Sequence, residues 1–159
     1  MRGAFFGFFP IFMQLFNTKV IPSSLDILWQ SPQMPVDSAL QGMLVLSTPF
    51  PENSEEATVL QKMMQACKLG DNNYFLKIME ADERLSLTRY CNGTIPPVVL
   101  LLGINPRQLG INAQFILNAC NPFLGSTFIP SLDLGHIAYD KDLKRTLWEQ
   151  GLKPMFAQK

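Results

Sequence analysis

The run Pro96-Pro97-Val98-Val99-Leu100-Leu101-Leu102-Gly103 limits how this chain can fold more than any other stretch. Five consecutive apolar residues without polar alternation do not suit a sheet with one wet face. They predict a strand covered on both faces, which is the signature of a parallel sheet flanked by helices. Met43-Leu44-Val45-Leu46-Ser47 repeats the pattern and predicts another such strand, the first of the body. Between them, Asn53 or Ser54 can cap a helix whose first turn carries Glu55 and Glu56, where the helix dipole favours anions. Val59, Leu60, Met63, Met64 and Cys67 give that helix one apolar face, and Gly70 is expected to stop it.

The rest of the chain continues the alternation. Residues 74–80 read as a strand, and residues 81–93 as a short helix that opens on Asp82 and Glu83 and ends in the Asn92-Gly93 turn. Residues 112–123 are ambiguous between a strand and a helical turn. Residues 125–132 read as a fourth strand broken at Pro130. From Asp140 a final amphipathic helix is expected, with Leu143, Leu147 and Trp148 inward and lysines outward. The fold class that follows is α/β: a three-layer sandwich on a mostly parallel sheet of about four strands. Residues 40–159 form its single domain, and residues 1–39 form an N-terminal arm.

Thirteen basic residues balance thirteen acidic ones. A protein whose main task is gripping nucleic-acid backbone usually carries a basic excess, so direct DNA binding is expected to be weak or absent. Cys67, Cys91 and Cys120 are too scattered to build a zinc site with the single histidine, His136. Buried reduced thiols and a cytoplasmic location are the reading, with no metal and no cofactor called for. Pairing His136 with Ser131 or Cys120 has no nucleophile-elbow motif behind it, and a lone histidine near Asp133 and Asp140 reads as a satisfied loop or core residue.

The arm opens with six phenylalanines in its first sixteen residues. Three readings of this segment stand open: a signal peptide without a convincing cleavage site, a membrane segment too short and interrupted by Pro10 to span, or a native start at Met13. The third is preferred, and no membrane span is expected. Farther along, Leu25, Ile27, Leu28 and Trp29 make an apolar knot that reads equally as a partner-binding anchor or as a patch packed on the domain edge.

Ligands of open α/β sheets bind outside the carboxyl ends of the strands. The loop Gly103-Ile104-Asn105-Pro106-Arg107 sits at such an end and carries an amide and a planar cation, although a plain Asn turn accounts for it too. Gly103-Ile104-Asn105-Pro106 is similar to the first motif of the mismatch-specific branch of the uracil-DNA glycosylase superfamily. Ile129-Pro130-Ser131-Leu132 resembles that superfamily's second motif, a Pro-Ser pair on a loop that wedges into DNA. The resemblance implies a catalytic role for Asn105, positioning the attacking water, and a wedge at Ser131 and Leu132. The chain departs from that pattern at Arg107, where the branch has glycine, and at Ile129, where Asn or His is usual. No aromatic residue able to stack on a flipped base is apparent beside Asn105.

A broader resemblance, over residues 25–156, is to the psi-subunit family of the bacterial DNA polymerase III holoenzyme, non-catalytic relatives of the glycosylase-like fold. It rests on Trp29 in the arm, Met43–Phe50 and the helix after it, Pro130–Leu134, and Leu143–Gln150 before Lys153–Phe156. It implies a replisome adaptor whose arm binds the clamp loader through Leu25, Leu28 and Trp29, while the body binds a second protein subunit. Three functions therefore remain: adaptor, preferred; base-excision enzyme; and an unrelated small α/β protein.

Overall fold

The structure is a computed structural model and describes Gln33, residues 42–70 and residues 73–157. Of the arm only Gln33 is described, so Met13, Leu25, Leu28 and Trp29 lie outside the described residues.

Strands β1 (Met43–Ser47), β2 (Tyr74–Ile78), β3 (Val98–Leu102), β4 (Asn121–Phe123) and β5 (Ser126–Ser131) form one sheet in the order β2-β1-β3-β5-β4. The first four strands of that order run parallel, and β4 joins β5 as an antiparallel hairpin. The sheet is thus one strand larger than expected and still mostly parallel. Every residue of β1 and β3 is buried, as their unbroken apolar runs require.

Helix α1 (Glu55–Ala66) starts at Ser54, whose hydroxyl accepts the Ala57 N–H at 3.3 Å. It ends before Gly70: Lys68 adopts a left-handed φ of 58°, and its N–H and that of Leu69 return to the carbonyls of Gln65 and Met64. One sheet face packs under α1, α3 (Leu134–Tyr139) and the C-terminal helix, around Val45, Leu60, Leu100, Ile129, Ile137 and Leu147. The opposite face is covered by loops and the single turn of α2 (Leu87–Tyr90), around Leu46, Leu85, Leu101, Leu109 and Phe128.

Three expectations are corrected. Asp82 and Glu83 do not open a helix. Leu85 N–H donates to Gln108 O at 2.7 Å, and the Gln108 amide donates to the carbonyls of Ala81 and Glu83, so this segment spends its backbone on the loop after β3. Glu83 instead holds Lys77 at 2.8 Å. Pro130 does not break β5, which pairs with β3 through Ser131. A proline lacks only a donor, and β4 reaches no farther than Phe128, so none is needed there; the Pro130 carbonyl accepts the Asn118 N–H at 2.7 Å. His136 sits in a helix, α3, capped by Asp133.

The C-terminal helix begins at Lys141 under an Asp140 cap, as expected, in α4 (Lys141–Thr146). It passes through a π-helical stretch, Leu147–Leu152, into α5 (Lys153–Phe156). Leu147 is buried, while Leu143 and Trp148 are half-buried. The wide turn seats Gly151 on the sheet, where a Cβ would meet Ile129 Cγ2 at 2.8 Å and Asn118 O at 3.2 Å.

Candidate functional site

β3 ends at Leu102 and β5 at Ser131, paired side by side, so the loop from Gly103 and the loop from Leu132 leave the sheet together. This adjacency brings the two sequence motifs into one place. Gly103 lies against Asp133 and Thr48 with φ 73°, a close approach that excludes a side chain. Ile104 is buried, and Asn105 opens the one-turn 3-10 helix Pro106–Leu109.

The Asn105 side chain is committed to that turn. Its Oδ1 accepts the Arg107 N–H at 3.0 Å, and its own N–H donates to Gln108 Oε1 at 3.0 Å. Pro106 fixes the first helical φ, and Gly110 closes the turn in left-handed conformation. Arg107 is exposed.

Beside this turn lies a cleft of about 540 Å³, lined by Asn105, Arg107, Asn112, Gln114, Phe115 and Leu117 on the loop side and by Pro130 and Ser131 on the strand side. Among the described residues, Arg107 is the only charged one lining it. Phe115 was not anticipated there. Its ring stacks on Phe128 at 5.3 Å and meets Phe123 edge-on at 5.7 Å, which holds it in the cleft wall. Residues 112–123 gave no clear period in the sequence, so nothing marked Phe115 as belonging beside Asn105.

The second motif is also tied into structure. Ser131 is buried and its hydroxyl donates to Asn118 Oδ1 at 2.6 Å. Asn121 pins the segment between, accepting from Ile116 N–H at 2.8 Å and donating to the carbonyls of Ile116 and Ala119. Ile116, 71% exposed, and Leu117 are held outward by this buried amide pair, and Leu132 is exposed beyond Ser131.

His136 Nδ1 lies 2.7 Å from Asp133 Oδ2, and Asp133 Oδ1 accepts the His136 N–H at 3.0 Å. The pair is a helix cap that turns back on its own helix. Ser131 is bonded to Asn118 rather than to His136, and the Cys120 thiol donates to Gly151 O at 3.1 Å. Neither nucleophile is brought to a base. Burial pushes the thiols of Cys67 and Cys91 up to about 11, so neither is poised as a thiolate.

Among the described residues no cluster of His, Cys, Asp and Glu could hold a metal ion, and no helix is long and apolar enough to cross a membrane. No family model matches the chain, and no curated protein is significantly similar to it.

Proposed function

We propose that this protein is a non-catalytic adaptor resembling the psi-subunit family, a protein-binding element of a bacterial replisome in the cytoplasm, built on a uracil-DNA glycosylase-like fold. One observation carries the reading. The two polar groups that the motifs would offer to a reaction each hold a bond inside the fold, Asn105 Oδ1 accepting the Arg107 N–H and the Ser131 hydroxyl donating to Asn118. A water-positioning amide offers its oxygen to a water in the cleft, and here one acceptor site of that oxygen closes a turn. The balanced charge and the exposed Ile116, Leu117 and Leu132 beside the cleft suit contact with protein better than with a phosphate backbone. The arm anchors are Leu25, Leu28 and Trp29, with tryptophan the strongest single contact.

The test is binding of the purified chain to purified clamp-loader core, followed by calorimetry. Micromolar or tighter binding that weakens at least tenfold in Trp29→Ala is expected; no binding by folded protein refutes the adaptor.

A second reading, a base-excision enzyme, is favoured by the meeting of Asn105, Phe115 and Ser131 around one cleft. It supplies the aromatic surface that a flipped base would need. Its test is release of free base from uracil- and mismatch-containing duplexes. The adaptor reading expects none. Release that disappears in Asn105→Ala would establish the enzyme instead.

A further inference from the structure

The cleft beside the Asn105 turn holds polar groups that the two motifs do not account for. Asn105, Arg107, Asn112 and Gln114 all line it and all are exposed. Asn105 Oδ1 accepts the Arg107 N–H. Among the described residues, the Asn105 Nδ2 amino group and the side chains of Arg107, Asn112 and Gln114 hold no bond. The Arg107 guanidinium is therefore an open fork of donors on a wall of amides and apolar groups.

Phe115 supplies the apolar part. Its half-buried ring is braced by Phe128 at 5.3 Å and by Phe123 at 5.7 Å, so it presents a fixed surface. Leu117 and Pro130 continue that surface within the cleft. Their chain neighbours extend it outward: Ile116 is 71% exposed, and Leu132 is exposed after Ser131. Ile116 is not exposed by fraying. The buried Asn121 side chain accepts its N–H at 2.8 Å and donates to its carbonyl at 2.9 Å. Apolar side chains held outward beside a cleft mark a contact surface.

We infer that this cleft receives the C-terminal residues of a partner protein, with the terminal carboxylate on the Arg107 guanidinium and the last apolar side chain against Phe115 and Leu117. Charge complementarity decides the occupant. One open guanidinium matches one carboxylate in a bidentate pair. A nucleic-acid backbone would bring a phosphate with every nucleotide, and the described lining offers no second cation. The amides of Asn112 and Gln114 each donate and accept, as the N–H and C=O groups of an extended peptide require. A chain terminus carries its carboxylate and its last side chain on one Cα, so a single residue meets both the cation and the aromatic wall. Ile116 and Leu132 are left for the residues before it. The volume of about 540 Å³ suits a few residues rather than a domain. The choice of a protein as the source rests on the adaptor reading, whereas the preference for a carboxylate rests on the lining alone.

The experiment titrates the isotope-labelled full chain, read by NMR, with acetyl-Gly-Leu-Phe as the free acid and as its C-terminal amide. The acid is expected to shift the signals of Arg107, Asn112, Gln114 and Phe115 and to bind roughly tenfold or more tightly than the amide. Arg107→Gln should abolish that difference, and Arg107→Lys, which keeps the charge without the fork, should restore part of it. Both variants replace an exposed side chain whose backbone N–H, not its guanidinium, closes the turn, so the fold is retained. Equal affinity for acid and amide, shifts confined to other parts of the molecule, or no shift up to ~10 mM peptide overturn the assignment. Uridine monophosphate moving the same signals at lower concentration than the acid also overturns it, by placing a base against Phe115. Failure to bind clamp-loader core with the acid-over-amide pattern intact removes the adaptor and leaves the cleft. Clamp-loader binding without that pattern does the reverse.

Discussion

The Ser131 hydroxyl donates to the Asn118 side-chain oxygen at 2.6 Å, and both residues are buried where β5 leaves the sheet. Asn118 adopts a left-handed φ of 57°, and its N–H donates to Pro130 O, so the bond locks the loop before β4 to the end of β5. Ser131→Ala leaves a buried amide oxygen without its donor, a loss of about 1–3 kcal/mol. Asn121→Ala removes a side chain bonded to Ile116, Ala119 and Phe128, and should cost more, about 2–4 kcal/mol. Urea denaturation of the two variants checks both the size and the order.

Gly103 and Gly110 separate strain from crowding. Both have φ 73°, but a Cβ at Gly103 would lie 2.8 Å from Asp133 Cβ, whereas nothing stands within 4 Å of one at Gly110. Gly110→Ala should therefore meet only the backbone term, about 1–2 kcal/mol. Gly103→Ala adds overpacking against the cap of α3 and should reach about 2–4 kcal/mol. Equal losses at the two sites would mean that the Asp133 loop yields freely.

Burial makes Cys67 and Cys91 poor nucleophiles. Each thiol is pushed from 9.0 up to about 11 by desolvation, and Cys120, partly exposed, is raised as well. Folded protein at pH 8 should react slowly with a thiol reagent, first at Cys120 and at the other two only on unfolding. The raised values also fix a sign: the buried neutral thiols contribute fully below about 9, and their contribution is lost as pH rises towards 11. Rapid modification of Cys67 or Cys91 in native protein would contradict the packed core.

Where burial on both faces dictated residue type, the fold was legible. β1 and β3 had no other explanation for their unbroken apolar runs, and the Ser54 and Asp140 caps followed from local hydrogen bonding. Long-range partners hid the rest. Asp82-Glu83 looks like a helix start, but Gln108, far along the chain, claims the carbonyls of Ala81 and Glu83. Pro130 looks like a strand breaker because the sequence does not reveal that β4 stops short of it. The candidate site was legible in position and not in content. Strand-end logic marked the Gly103–Arg107 loop and the motif resemblance marked Pro130–Leu132, but Phe115 enters the cleft only through its contacts with Phe123 and Phe128.

Asp133 gives the α3 cap a pH dependence whose direction can be worked out. Desolvation acts to raise its carboxyl, but the His136 backbone N–H, the His136 imidazole and its charge outweigh that, and the net value lies below the ordinary 3.8. A carboxyl lower in the folded than in the unfolded chain binds its proton more readily once unfolded. Its stabilisation is therefore complete above the unfolded value and is lost as pH falls through the folded one. The window lies beneath about pH 4, where acid unfolding should steepen as the cap protonates. Asp133→Asn keeps a side-chain acceptor for the His136 N–H but carries no charge to titrate. Melting temperatures for the two proteins should therefore differ by a steady amount above about pH 4 and converge as pH falls below it. A constant offset across that range would assign the Asp133 contribution to hydrogen bonding alone, without the charge.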